Sequence, residues 1–207
     1  MTARHGLFIT LEGGEGAGKS TAAQGLKAAM EAEGQSVLLT REPGGTAGAE
    51  AIRTLLLGDV PLVPLAQTML HFAARADHVE RIIRPALDEG RVVICDRFYD
   101  STMAYQAFGL GVPMESIAAL IRLIDLRPDI TFLLDLPEEL ARARVASRAG
   151  ATDRYEAMGA DFFARVIAGF HSIAAAQPGR FTHINAATTP EQIVAQMRAA
   201  IRARAGR

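Results

Sequence analysis

Residues 13–20, Gly-Gly-Glu-Gly-Ala-Gly-Lys-Ser, lie between an apolar run, Leu7-Phe-Ile-Thr-Leu11, and a helix-forming stretch from Thr21 to Glu33. The segment matches G-x-x-x-x-G-K-S/T at every fixed position. Strand, glycine-rich turn and helix in this order point to an α/β nucleotide-binding unit. Glycines let the backbone curl until its N–H groups converge on phosphate oxygens, and the helix N-terminus adds positive potential. Lys19 is placed to reach the β- and γ-phosphates, and the Ser20 hydroxyl to ligate Mg²⁺. Only one other lysine, Lys27, occurs among 22 basic residues, so Lys19 does not come from a lysine-rich surface. A nucleoside triphosphate is the expected ligand of Gly13, Gly14, Glu15, Gly16, Ala17, Gly18, Lys19, Ser20 and Thr21.

Four further short apolar runs follow the first: Val37-Leu-Leu39, Val92-Val-Ile94, Ile130-Thr-Phe-Leu-Leu134 and Phe181-Thr-His-Ile184. None alternates polar with apolar residues, which suits strands covered on both faces of a parallel sheet. Stretches with helical spacing separate them, at 20–33, 46–57, 64–89, 114–125, 137–148, 158–176 and 189–204. Strands alternating with helices predict a doubly wound α/β domain of the P-loop NTPase fold, with five parallel strands and helices on both faces. Ligands of such sheets bind at the carboxyl ends of the strands. With no repeat, linker or composition break, the 207 residues are expected to form one domain.

A net charge of −1 gives no argument for nucleic acid or membrane as the main partner. The single cysteine, Cys95, excludes an internal disulfide framework and lies in an apolar run, where an inert buried thiol is expected. The N-terminus has no basic segment followed by an apolar signal core, and no apolar stretch approaches a membrane span. Cytoplasmic residence is the expectation.

The second strand leads into Thr40-Arg41-Glu42-Pro43-Gly44-Gly45-Thr46, and the third ends in Asp96-Arg97-Phe98-Tyr99-Asp100-Ser101. An aspartate at the end of an apolar strand suits the carboxylate that holds Mg²⁺ or its waters beside Ser20. Asp96 can equally cap the helix that follows. Arg97 suits recognition of a second phosphate, which a guanidinium grips in a bidentate fork. The phosphate loop, the Thr40–Thr46 segment and Asp96-Arg-Phe-Tyr-Asp-Ser-Thr-Met-Ala-Tyr-Gln106, in this order, closely resemble the bacterial thymidylate kinases. The resemblance covers essentially the whole chain.

That resemblance implies phosphoryl transfer from ATP to dTMP with Mg²⁺, in a homodimeric enzyme. It assigns Glu15 to the 3′-hydroxyl of the deoxyribose, and Arg53 and Arg97 to the acceptor phosphate. Family members stack a phenylalanine on thymine, four residues before an arginine that bonds the base. Here His71 stands four before Arg75 and Phe72 three before it. Residues four apart share a helix face, which favours His71 at the base and Phe72 in the core, with Phe72 at the base as the alternative. Thr102 and Gln106 match positions that bond the thymine ring, and Tyr105 matches the tyrosine that crowds C2′.

A short lid is expected at about 142–156, where Arg142, Arg144, Arg148 and Arg154 cluster. The family divides into enzymes with an arginine in the phosphate loop and enzymes that supply it from the lid. This loop has none, so Arg148, with Arg154 as its rival, is the candidate to stabilise the transferring phosphoryl group, and Arg144 to pack on adenine. The acceptor is an ionised phosphate, so no strong general base is required and Asp96 is not assigned as one. A kinase for another nucleoside monophosphate is the nearest rival. A Ras-type switch would need Asn-Lys-x-Asp, and no lysine follows Lys27.

Overall fold

The structure, a computed structural model, describes residues 6–147, 155 and 158–205. The five apolar runs become β1 (Leu7–Glu12), β2 (Val37–Arg41), β3 (Val92–Asp96), β4 (Ile130–Asp135) and β5 (Phe181–Asn185). All pair in parallel, in the order β2-β3-β1-β4-β5. Each strand runs one or two residues past its apolar run. Those added residues, Glu12, Thr40, Arg41, Cys95, Asp96, Asp135 and Asn185, are mostly polar and form the carboxyl edge of the sheet.

The runs of β1, β3 and β4 do not alternate because both faces are buried, whereas the edge strands β2 and β5 are partly exposed. Ile9, Leu11, Ile94, Ile130 and Phe132 face one side, where they pack on Ala22, Ala23, Leu26 and Met30 of α1 (Lys19–Ala32) and Ile193 and Met197 of α9 (Pro190–Ala205). Phe8, Val93 and Cys95 face the other side, against Phe72 of α3 (Pro64–His78) and Ile117 of α6 (Met114–Ile124). A third cluster joins Leu133 and Phe181 to Phe162, Val166 and Phe170 of α8 (Ala160–Ala176). Burying each large aliphatic or aromatic side chain contributes about 1.5–3 kcal/mol.

Thr46 caps α2 (Ala47–Leu57) by accepting the Ala49 N–H at 3.0 Å. The stretch expected as one helix at 64–89 is continuous but not uniform. A π turn at Val79–Ile83 joins α3 to α4 (Arg84–Asp88). α7 (Glu138–Ala146) follows β4 and precedes the rest of the expected lid, most of which lies outside the described residues. One helical segment has no counterpart in the sequence reading: α5 (Tyr99–Thr102) with the π turn Met103–Gly109. Tyr99, Asp100, Ser101, Thr102, Ala104, Tyr105 and Gln106 are all buried there, so polar and apolar residues alike face protein and no amphipathic period is visible.

Candidate active site

β1 is the switch point of the sheet, with β3 on one side and β4 on the other, and the phosphate loop leaves its carboxyl end. Gly13 has φ +138°, and a Cβ there would lie 2.7 Å from the Leu134 carbonyl oxygen of the next strand. Gly18 caps α1 in the left-handed conformation (φ +84°). Only glycine supplies this backbone path without steric cost. Lys19 Nζ folds back onto the loop, donating to the carbonyls of Gly13 (3.1 Å) and Gly14 (2.8 Å). Burial and the nearby Arg97 charge push its pKa down to about 8.

A cavity of 310 Å³ opens beside the loop, a volume suited to a small ligand. Glu15, Gly16, Gly18, Lys19 and Ser20 line one end. At that end Ser20 Oγ donates to Asp96 Oδ2 at 2.6 Å. A hydroxyl beside a carboxylate is a hard-oxygen donor pair and fits Mg²⁺, which retains several of its own waters. Asp96 does not cap the following helix: Phe98 occupies the cap position, and no side chain bonds there.

Arg97 holds the middle of the cavity. Its backbone is left-handed (φ +69°), which costs a non-glycine residue roughly 1–2 kcal/mol. Specific contacts hold it there. Its N–H donates to the Leu11 carbonyl (3.0 Å), Nη1 to the Gly13 carbonyl (3.1 Å) and Ser101 Oγ (3.0 Å), and Nη2 to Glu15 Oε1 (2.5 Å). The Tyr105 hydroxyl donates to the same Glu15 oxygen at 2.9 Å. Strain held this firmly in a cleft is a mark of function. Arg53, from α2, donates to the Pro43 carbonyl at 2.8 Å and lines the same cavity.

At the far end Arg75 is almost fully buried. Nε donates to Glu42 Oε2 (2.7 Å) and Nη2 to Thr102 Oγ1 (3.1 Å), while Nη1 is buried with no hydrogen-bond partner. Glu42 is held in turn by His78 Nδ1 (3.1 Å), whose Nε2 meets Thr40 Oγ1 at 2.7 Å. His71 also lines the cavity, one turn before Arg75 on α3, with Nε2 3.3 Å from the Tyr155 hydroxyl. Burial, then the charges of Arg75, Arg97 and Arg53, push its pKa down to about 3, so its ring is neutral at physiological pH. Gln106 Nε2 donates to the Tyr155 hydroxyl at 2.9 Å.

Of the two candidates for the base, His71 lines the cavity and Phe72 does not. Phe72 is buried in the core beneath Arg75, whose guanidinium carbon lies 4.7 Å from the ring centroid. Adjacent residues point about 100° apart around an α-helix, and here His71 lines the cavity while Phe72 turns into the core. Thr21 is exposed on α1 and lines neither this cavity nor the larger groove behind the loop. Gly13, Gly14 and Ala17 line that groove instead. Arg144, on α7, donates to the carbonyls of Gly16 (3.5 Å) and Ala186 (3.1 Å), between the loop and the end of β5. Arg148 and Arg154 lie outside the described residues.

Several functional contacts are not visible in sequence. Glu12, the last residue of β1, accepts the Phe98 N–H (2.8 Å) and the Ser101 hydroxyl (2.5 Å), which ties the Arg97 turn to the central strand. Burial and the neighbouring Asp100 push its pKa up to about 8. Asp100 is gripped by Arg180 in a two-pronged buried pair at 2.7 and 2.8 Å. Glu42 and Tyr155 stand in charged, polar stretches, which read as surface until the fold turns them inward. Burial pushes the Cys95 thiol up, and it donates to the Arg97 carbonyl at 3.1 Å, as an inert thiol does.

A phosphate loop, an oxygen pair suited to Mg²⁺ and a second arginine-lined pocket in one cleft define a nucleotide phosphotransferase of the P-loop class. The thymidylate kinase family model matches residues 11–197. The chain is 52% identical over 201 residues to a thymidylate kinase of Gluconobacter oxydans, covering 95% of this chain and 94% of that protein. It is 49% identical to one of Pseudomonas syringae pv. tomato, covering 93% of each. A crystal structure of thymidylate kinase from Ehrlichia chaffeensis superposes with a TM-score of 0.79 at 33% identity, covering 95% of this chain and 98% of that one. The chain belongs to the thymidylate kinase family, and it is a kinase.

Proposed function

We propose that the protein transfers the γ-phosphoryl group of ATP to dTMP, giving dTDP and ADP, in the supply of dTTP. The observation that carries this reading is a single cavity with Lys19, Ser20 and Asp96 at one end, Arg97 and Arg53 between, and His71, Arg75 and Gln106 at the other. A phosphate-binding end and a hydrogen-bonding end, bridged by two guanidinium groups, match the three parts of a nucleoside monophosphate. The buried Arg75 Nη1 without a partner supports a carbonyl acceptor on the base. A coupled assay with ATP and a panel of dTMP, dUMP, dCMP, dGMP, AMP and thymidine tests the reading. A dominant kcat/KM for dTMP supports it; preference for another monophosphate overturns the base assignment.

In this scheme the loop N–H groups and Lys19 bind the β- and γ-phosphates. Arg97 and Arg53 hold the acceptor phosphate in line with them, and Thr102, Arg75 and Gln106 hold the base. His71 offers the base a flat neutral face without adding charge beside Arg75. Arg144 lies against Gly16 and Ala186, where the adenine of ATP would lie, and Arg148 is proposed as the lid arginine that meets the transferring group. Ser20 and Asp96 would hold Mg²⁺, which neutralises phosphate charge when bound. Positioning and charge neutralisation carry the reaction, because the acceptor oxygen is already ionised.

Glu15 is assigned to the 3′-hydroxyl of the acceptor, and Tyr105, bonded to Glu15, to exclusion of a 2′-hydroxyl. Glu15→Gln is expected to weaken dTMP more than 3′-deoxy-dTMP. Equal losses for the two nucleotides in steady-state KM would remove Glu15 from the sugar.

Lys19 makes the donor site sensitive to pH. With its pKa near 8 in the free protein, it is charged below pH 8 and loses its proton above. ATP needs the charged form, so binding above pH 8 takes up a proton. The ATP dissociation constant is expected to be flat from pH 7 to 8 and then to rise toward about tenfold per pH unit. Calorimetric titration in buffers of different ionisation enthalpy reads both the affinity and the proton. A flat profile to pH 9.5 would exclude the depressed lysine.

The three core clusters share one sheet, which supports one domain for the 207 residues, with the lid at about 142–156. A homodimer is the proposed assembly. Leu65 and Met69 on α3 and Leu123 on α6 are exposed apolar side chains on helices that otherwise pack inward. Light scattering at micromolar concentration should give twice the chain mass, and Leu123→Asp should lower it; a monomeric wild type refutes the assembly. No helix among the described residues is long and apolar enough to cross a membrane. A free buried thiol and ATP as substrate support a cytoplasmic setting.

A further inference from the structure

The carboxyl ends of β4 and β5 carry a cluster that phosphoryl transfer does not use. Asp135 ends β4, His183 lies on β5, and His171 lies on α8. His183 Nδ1 is 2.6 Å from Asp135 Oδ2, and His171 Nε2 is 3.6 Å from Asp135 Oδ1. The two imidazoles are nearly parallel, with 8° between planes and centroids 5.8 Å apart. One donor atom from each residue lies within 4.8 Å of the other two. The cluster sits on the wall of a groove of 1190 Å³ behind the phosphate loop, open to solvent.

We propose that Asp135, His171 and His183 form a binding site for one divalent transition-metal ion of the Zn²⁺ class. Three elements with independent backbones bring their donors to one point. As ion pairs alone, side chains this exposed contribute little, so stability does not account for the convergence. Two imidazole nitrogens and one carboxylate form a three-ligand set that leaves further positions for water. This donor set favours Zn²⁺, Co²⁺ or Ni²⁺, whereas Mg²⁺ and Ca²⁺ take oxygen ligands. Metal bonds of about 2.0–2.2 Å at a tetrahedral ion set donor atoms roughly 3.3–3.6 Å apart, so the 2.6 Å His183–Asp135 contact must open slightly, a change half-exposed side chains reach by small rotamer adjustments. The site is separate from the Ser20–Asp96 pair. Asp96 ends β3 and Asp135 ends β4, with β1 between them and Asp135 three residues further along the register, which places them roughly 14 Å apart. An ion here would tie α8 to β4, the strand against which the phosphate loop packs.

The test is a Co²⁺ titration of the untagged, chelator-treated chain in excess Mg²⁺, which occupies oxygen sites. The d–d absorption of Co²⁺ should saturate at one equivalent per chain, and Zn²⁺ should displace it. His171→Ala and His183→Ala should each weaken binding at least about tenfold while keeping dTMP-dependent turnover in Mg²⁺, which certifies their fold. Asp135→Asn, nearly isosteric, should weaken it as well. Zn²⁺ should raise the Tm of the parent chain and leave that of the His171→Ala/His183→Ala double variant unchanged. Absence of a saturable Co²⁺ band overturns the proposal. So does undiminished binding in the double variant, which would assign the ion to other donors, such as the buried Glu42, His78 and Cys95. Only the turnover control rests on the proposed dTMP activity; the Co²⁺ binding and Tm readouts do not depend on which nucleotide the kinase prefers.

Discussion

Glu42→Ala is expected to lower the unfolding free energy by about 3–5 kcal/mol, the largest single-residue effect anticipated in this protein. The Glu42 carboxylate is buried between the Arg75 Nε at 2.7 Å and His78 Nδ1 at 3.1 Å, and all three side chains are at most 5% exposed. Removing it leaves a guanidinium charge in the interior with Thr102 as its remaining side-chain hydrogen-bond partner among the described residues, the Phe72 and Phe98 rings beside it, and one nitrogen, Nη1, already unbonded. Burying an uncompensated charge outweighs the loss of any one contact in this region. Equilibrium urea unfolding would read the change as a lower midpoint at nearly constant slope. A single transition in the parent chain is the behaviour of one cooperative unit. A loss below about 1 kcal/mol would mean that water or a rearranged side chain reaches Arg75, and the buried-pair account would fail. Glu42→Gln keeps the shape and loses the charge, so it should fall between the parent and Glu42→Ala.

The second large effect is kinetic. Arg97→Ala should lower kcat/KM for dTMP at least about a hundredfold, or 2.7 kcal/mol at the transition state. The Arg97 side chain reaches four partners, the Gly13 carbonyl, Ser101, Glu15 and the Tyr105 hydroxyl, and its truncation removes the guanidinium that pairs with Glu15 beside the acceptor phosphate. The Glu15 carboxylate would then repel the substrate that Arg97 attracted. Burial alone would lower the pKa of Arg97, but Tyr105, Glu15, Asp96 and Glu12 around it outweigh that, so the guanidinium stays charged at every usable pH. Arg97→Lys keeps the charge and loses the fork, and should recover only part of the rate. Alanine adds no new strain in the left-handed conformation that arginine already adopts. The loss should therefore appear in kinetics far more than in the urea midpoint. Near-parental kinetics with dTMP would remove Arg97 from the acceptor site.

How far each feature could be read from the chain depended on what kind of signal it left. The central strands β1, β3 and β4 were legible because sheet burial on both faces writes continuous apolar runs, and the edge strands β2 and β5 kept shorter apolar stretches. The phosphate loop was legible because its chemistry needs glycines, a lysine and a hydroxyl at fixed spacing. The α5 segment and its π turn were not legible, since a helix buried on all sides has no polar face to set a period. Phe72 and His71 illustrate a middle case. Helical spacing pointed to His71 beside Arg75, and the packed position of Phe72 beneath Arg75 is where the structure puts it.

The order of elements and the phosphate loop, both carried by near neighbours in the chain, are properties of the sequence by itself. So is membership of a family whose motifs run from residue 13 to residue 106. The tertiary structure alone decided which charges are buried and what they meet. Glu42 with His78, Asp100 with Arg180, Glu12 with the Arg97 turn, and Asp135 with His171 and His183 are separated by 36 to 89 residues. Local propensity carries no information about such pairs. A buried charge is tolerated only where the fold delivers its partner, and parallel crossover connections deliver partners from distant segments to the same edge of the sheet.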